Sequence, residues 1–305
     1  MKTKIGILGL GGVGGYFGGL LAKAYFESDG IEIIFIARGE TQKAIAEKGL
    51  KIITDDSETI VYPKLVSNNP DEIGKLDYLI CATKTYDIEE SLLSIKKCIT
   101  LKTVVLPLYN GVDAPERIKK IFPENEVLLG CVYIISMIIS PGTIRKIGFY
   151  EKLFFGSKTI PISKLEELQS IFKNAKIESY LVENIEETVW EKFIFISALA
   201  SATSYLNQNI GEILMNKESK DIYVALLYEI EAVAKAKGLQ LPTDIVDQTI
   251  IKLEKSPKNA TSSMNRDLLA GNKTEVTSLT QFVVNEGLKY GVETPLYEKI
   301  ANALL

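Results

Sequence analysis

Short apolar runs ending at a glycine or a polar residue recur through the first half of the chain, and stretches with helical spacing separate many of them. Residues 5–8 form the first run, 31–37 the second, and 76–82, 103–108 and 126–133 follow. This alternation predicts buried parallel strands joined by helices. Ser140-Pro141-Gly142-Thr143 reads as a turn between two antiparallel segments, the second ending at 152–156. Residues 163–175 have helix spacing, and 177–182 would be the last strand. From Asn184 onward nearly every segment is helical in pattern, broken at Gly211, at 238–242, at Ser256-Pro257 and at Gly271. The predicted class is α/β: an N-terminal Rossmann-type doubly wound sheet over residues 1–183, then an all-α C-terminal domain over 184–305.

The first strand runs directly into Gly9-Leu10-Gly11-Gly12-Val13-Gly14. Strand, tight turn and helix start are the context in which G-x-G-x-x-G points to a dinucleotide. Gly9 suits a turn that a side chain would strain. Gly11 leaves room for a pyrophosphate against the backbone, and Gly14 lets the new helix pack closely on the strand. The helix amides would face the phosphates, which makes Gly9, Gly11, Gly12, Val13 and Gly14 the candidate cofactor-binding residues. Surplus glycines at 12, 15, 18 and 19 fit close helix packing as well. The second strand ends in Arg38, where an NAD-preferring domain usually places an acid. A guanidinium there suits a 2′-phosphate, so the expected cofactor is NADP(H).

Composition narrows the chemistry. The 305 residues are 46% hydrophobic and 24% charged, with 39 acidic against 35 basic side chains and no basic tract, which argues against nucleic acid as a partner. No apolar run reaches the roughly 18–20 residues of a membrane span, and no signal peptide is evident, so a cytoplasmic protein is expected. Cys81, Cys98 and Cys131 lack metal-ligand spacing and read as free thiols, with no metal site. The chain has no histidine. Proton transfer must therefore rest on Lys, Asp, Glu, Tyr or Cys.

Two strand ends place polar residues where open parallel sheets bind ligands: Lys84 after 76–82 and Asn110 after 103–108. Taken singly, each fits an ordinary surface or turn position. In the helical half, Asn184 and the acids after it would open a helix that becomes apolar on nearly all faces beyond Lys192. Burial there would lower the lysine's pKa toward a proton donor's range, but the residues alone favour an ammonium snorkelling into water. Residues 261–276 interleave polar groups densely, and Thr274-Glu275 would open a further helix.

Together these pieces resemble the ketopantoate reductase (2-dehydropantoate 2-reductase) family along essentially the whole chain: the glycine fingerprint, Ala82-Thr83-Lys84, Asn110-Gly111, Trp190-Glu191-Lys192, and Ser262-Ser263-Met264 with Glu275 beyond. The resemblance implies hydride transfer from NADPH to the C2 carbonyl of a 2-keto acid. It makes Lys192 the general acid, Glu275 a carboxylate that holds the substrate and orients the lysine, and Ser263 a ligand of the substrate carboxylate. Asn110 would lie near nicotinamide and substrate, and Arg38 and Lys84 at the adenosine 2′-phosphate. Ile196 and Ile210 stand where family asparagines are expected, with Asn207 and Asn209 as nearby substitutes. An apolar pocket would suit a D-2-hydroxy-acid dehydrogenase for branched or aromatic keto acids, and a non-catalytic NADP(H) sensor is the reading from another class. The expected partner is a small 2-keto acid. A homodimer could use the apolar pattern of residues 221–236.

Overall fold

The computed structural model describes residues 2–305, apart from the Lys164 side chain. The chain divides into two compact units, Met1–Tyr109 with Ala114–Ile185, and Asn110–Asp113 with Glu186–Leu305. The four-residue exchange at Asn110–Asp113 is not visible in the sequence pattern.

In the first unit the strands are β1 (Thr3–Leu8), β2 (Ile31–Ile36), β3 (Leu50–Ile53), β4 (Glu58–Val61) and β5 (Leu65–Ser67). They continue with β6 (Tyr78–Cys81), β7 (Val104–Pro107), β8 (Leu129–Ser140), β9 (Thr143–Gly156) and β10 (Glu178–Leu181). The helices are α1 (Gly12–Tyr25), α2 (Gly39–Lys48), α3 (Pro70–Ile73), α4 (Ile88–Ser94), α5 (Ala114–Ile121) and α6 (Glu166–Asn174). Five strands form a sheet in the order β5-β2-β1-β6-β7, with every pairing parallel. Because β1 is central and both its faces are covered, Ile5, Ile7 and Leu8 are all buried.

A second sheet, ordered β10-β9-β3-β4 with β8 along β9, makes the first unit three-layered. Helix α1 lies between the layers, and its surplus glycines account for how closely it can lie. A Cβ on Gly18 would meet Ile7 of β1 at 2.9 Å, one on Gly15 would meet Ile144 of β9 at 3.1 Å, and one on Gly19 would land on Ile52 of β3. These glycines serve packing, and the fingerprint register remains Gly9, Gly11, Gly14.

The second unit holds α7 (Ile185–Leu206), α8 (Ile210–Met215), α9 (Lys217–Ala236), α10 (Ile245–Lys255), α11 (Ser263–Leu269), α12 (Phe282–Tyr290) and α13 (Pro295–Leu304). A five-residue π-helical turn, Thr277–Gln281, leads into α12. Its core is built around Phe193, Ile194 and Ala198 of α7 with Leu226, Leu227 and Ile230 of α9. The apolar face of α9 is thus spent inside its own unit. No helix among the described residues is long and apolar enough to cross a membrane.

Two substitutions separate packing from ligand approach. A Cβ on Gly14 would land on the Gly9 carbonyl oxygen, a backbone atom that cannot swing away. Gly14→Ala should cost about 2 kcal/mol or more, a fall of about 4–8 °C in melting temperature. Gly11 is the N-cap of α1 with extended backbone, which serine adopts readily, so Gly11→Ser should melt with the parent. Equal melting of both variants in a thermal scan would contradict this assignment.

Candidate active site

The N-terminal glycines have different causes. Gly9 has φ +91, and a Cβ there would lie 2.7 Å from the Thr83 amide. A Cβ on Gly12 would land on the Ser136 carbonyl of β8. Gly11 has neither reason: its φ is −72, and the nearest atom to its would-be Cβ is the Ala82 carbonyl oxygen at 3.9 Å. The fold does not require a glycine at 11, and the open backbone there leaves room for a group laid against it. Ser136, beside the same turn, has a buried hydroxyl with no hydrogen-bond partner among the described residues. Helix α1 has no side-chain cap and no acid in its first turn, so its leading amides are available to an anion. Val13 follows in that turn, half-buried. An open glycine, an orphaned hydroxyl and an uncapped helix start together fit a dinucleotide pyrophosphate.

Arg38 and Lys84 stand beyond the ends of β2 and β6. Arg38 caps the start of α2, and its Nη1 donates to Glu90 Oε1 at 2.5 Å with both side chains largely exposed. Lys84 is half-buried at the head of a short 3-10 turn. That turn is held by Arg117, which donates to the Thr85 carbonyl at 2.8 Å and forks onto Glu89 at 2.7 and 2.6 Å. The guanidinium keeps the Glu89 carboxyl below the usual carboxylate range.

In the second unit Lys192 is only 7% exposed. Trp190 and Phe193, edge to face at 5.4 Å, flank it on α7. The snorkelling arrangement is therefore not the one adopted. An ammonium taken out of water requires an acceptor, and Lys192 Nζ donates to Asn110 Oδ1 at 3.0 Å. The loop supplying that acceptor is seated by its own contacts. Gly111 has φ +107, and a Cβ there would meet the Ser278 carbonyl at 3.3 Å. Two residues on, Asp113 Oδ2 accepts from the Ser278 hydroxyl at 2.9 Å. Ser278 belongs to the π-helical turn, a feature frequent at functional sites. Glu275 is buried just ahead of that turn, its carbonyl accepting from the amides of Ser278 and Leu279.

Ser263 is the first residue of α11, half-buried, and its hydroxyl has no partner among the described residues. Its neighbour Ser262 caps α11 and pairs with Thr203 of α7 at 2.8 Å. Thr203 lies on the Lys192 face of α7, about 16 Å farther along the axis. Ile196 is half-buried one turn beyond Lys192, whereas Ile210 is core. Asn209 is committed to a capping box with Glu212, and Asn207 adopts φ +51 just past the end of α7. Local structure thus explains both asparagines, and neither needs to replace a substrate contact. The three cysteines are buried and none forms a disulfide, and no cluster of three or more His, Cys, Asp or Glu forms a metal group among the described residues.

The family model for ketopantoate reductase PanE/ApbA matches residues 5–159, and its C-terminal companion matches 184–305. The chain belongs to this family. It is an oxidoreductase of the ketopantoate reductase family by that membership. A crystal structure of 2-dehydropantoate 2-reductase from Porphyromonas gingivalis superposes with a TM-score of 0.87 at 34% identity, covering 100% of this chain and 99% of the other. The uncharacterized oxidoreductase YkpB of Bacillus subtilis is 27% identical over 97% of this chain and 96% of its own length. D-mandelate dehydrogenase solved with NADH and anilino(oxo)acetate shares the fold, with a TM-score of 0.87 at 22% identity and coverage of 99% and 97%.

Asp113 and Ser278 are the residues that sequence reasoning misses in this ketopantoate reductase relative. Nothing in Asn-Gly-Val-Asp or in Thr-Ser-Leu-Thr indicates that the two segments meet. Removing the Ser278 hydroxyl should release the loop. A partly buried hydrogen bond contributes about 1 kcal/mol, so Ser278→Ala should speed amide deuterium exchange across residues 110–113 by roughly fivefold. Unchanged exchange would mean that the loop is held by other contacts.

Proposed function

We propose that the chain catalyses NADPH-dependent reduction of 2-dehydropantoate to (R)-pantoate, a step of pantothenate and coenzyme A biosynthesis. The observation behind this reading is the buried Lys192 ammonium aimed at Asn110, in a chain of the ketopantoate reductase family. The nicotinamide, when bound, supplies the hydride to the substrate C2 carbonyl. Lys192 stands as the general acid: its ammonium offsets the charge growing on the carbonyl oxygen and then gives that oxygen a proton. Asn110 fixes the direction of the ammonium by accepting a hydrogen bond from it at Oδ1. Glu275 is the carboxylate for the substrate hydroxyl and Ser263 the donor for its carboxylate. The Gly9–Gly14 turn and the start of α1 hold the pyrophosphate, with Arg38 and Lys84 at the 2′-phosphate.

A second reading, a D-2-hydroxy-acid dehydrogenase for branched or aromatic keto acids, draws on Ile196 in place of a polar contact. The two separate on kcat/KM for 2-dehydropantoate against 2-ketoisovalerate. A site that hydrogen-bonds the terminal hydroxyl penalises its absence by as much as ~10⁴-fold, whereas an apolar pocket discriminates by only about 10–200-fold. Strong preference for 2-dehydropantoate in an NADPH-oxidation assay supports the first reading, and preference for 2-ketoisovalerate supports the second. Lys192→Ala should lower kcat by about 10²–10⁴-fold with NADPH affinity kept. Undiminished turnover would remove the lysine from the chemistry. Gly11→Ser, stable in the melt, should lose NADPH binding.

The Arg38–Glu90 pair bears on cofactor choice. Arg38 must leave Glu90 to meet a 2′-phosphate, and the carboxylate then stands near that anion. An exposed pair is worth about 0.2–1 kcal/mol, so Glu90→Gln should tighten NADPH binding about two- to fivefold and leave NADH binding unchanged. An equal change for both cofactors in fluorescence titrations would separate Arg38 from the 2′-phosphate.

A further inference from the structure

Strand β8 breaks the usual rule for a sheet with one solvated face. Such strands alternate apolar and polar residues, whereas a nearly unbroken apolar run marks a strand covered on both sides. Residues 131–139 read Cys-Val-Tyr-Ile-Ile-Ser-Met-Ile-Ile, the second kind. The structure covers one side of the strand's first part, and Ile138 near the hairpin end is 54% exposed although it shares that side. Ile138, Ser136 and Ile134 pair across to Ile144, Lys146 and Glu151, the residues of β9 turned toward α1. The alternate residues Ile135, Met137 and Ile139, with Ile147 paired to Ile135, form the outer face and are 51%, 37%, 49% and 39% exposed.

The same face continues as an aromatic ladder. Tyr133 of β8 meets Phe154 of β9 edge to face at 5.7 Å, and Phe154 stacks on Tyr180 of β10 at 4.9 Å. At its margin the register shifts between Ile134–Glu151 and Ile135–Ile147, pushing Phe149 and Tyr150 out of the ladder to 89% and 71% exposure. This bulge is held in shape: Lys146 pairs with Glu151 at 2.9 Å beneath it, and the Gly148 amide donates to Asp55 at 2.9 Å.

We propose that this outer face is the interface between two copies of the chain related by a twofold axis. Its exposed side chains, Ile135, Met137, Ile139, Ile147, Phe149 and Tyr150 among them, form a patch on the scale of one partner's share of a standard interface, about 800 Å², where a monomer ordinarily leaves less. Two sheets packed face to face are a standard way to bury such a surface. The charges on the face have both signs: Arg145, and Lys152 paired with Glu178 at 3.2 Å. Mixed signs suit a self-complementary twofold contact, whereas an anionic membrane calls for a basic surface. The helix whose pattern suggested a dimer face, α9, spends its apolar side in its own core.

Sedimentation velocity on the full chain at micromolar concentration tests the proposal. The expected species has twice the 33.8 kDa chain mass. Ile135→Glu and Phe149→Glu should each raise the dimer dissociation constant by about tenfold or more while circular dichroism stays unchanged. Leu288→Glu, on the exposed side of α12, should leave the dimer intact. If Ile135→Glu disturbs folding, Phe149→Glu decides alone, because its side chain has little packing to lose. A monomeric parent overturns the proposal, as does a dimer that survives both substitutions or a monomer that cosediments with anionic vesicles.

Discussion

A lysine ammonium inside a helical core is costly unless something accepts from it, and much of the local architecture follows from meeting that need at Lys192. The acceptor, Asn110, comes from the segment after β7, so four residues of loop are assigned to the helical unit rather than to the sheet that precedes them. Holding them there takes a glycine at φ +107, an Asp113–Ser278 hydrogen bond and a π-helical turn that brings Ser278 to that position. Glu275 is buried just ahead of that turn. The acceptor of the buried cation and the contacts that seat its loop thus belong to one local arrangement.

The nucleotide end of the proposed site obeys a different constraint, absence of bulk rather than presence of a partner. Seven glycines fall between Gly9 and Gly19, and six are accounted for by the protein itself: one by left-handed backbone and five by side chains or carbonyls pressed against them. Gly11 is left over. Its openness, beside the uncapped start of α1, is what a phosphate-binding turn requires. The one glycine that packing does not explain, not the number of glycines, is what suits the proposed dinucleotide.

The α/β class of the first half and the helical second half are legible because apolar runs and helical spacing are local properties of the chain. The short strands β3, β4 and β5 are not, since β3 and β4 carry charged residues among their apolar ones and β5 has only three residues, so no apolar run marks them. That residues 143–156 join a second sheet over α1 depends likewise on pairings remote in sequence. Lys192 illustrates the limit for the site. Its flanking aromatics suit a snorkelling side chain as well as a buried one, and the deciding atom lies 82 residues away. Asn209 looks like a spare substrate ligand until its capping box with Glu212 appears, although Asn at that spacing from Glu is itself a local signal.

Burial also sharpens the substrate question. Two isoleucines occupy places where the family resemblance leads one to expect asparagines, but they are not equivalent. Ile210 begins α8 inside the core, where its backbone amide donates to the Ala260 carbonyl. An asparagine there would be a buried polar group needing partners of its own. Ile196 is different: half-buried and one turn from Lys192, it alone of the two can alter what a keto acid meets. Of the two, Ile196 is the apolar side chain one turn from the proposed acid. One apolar contact changes discrimination between keto acids by about 10–200-fold, whereas a retained hydrogen bond to a substrate hydroxyl imposes about 10⁴-fold. Specificity in the proposed reaction therefore turns on whether Glu275 engages that hydroxyl, and Ile196 adjusts the preference around it.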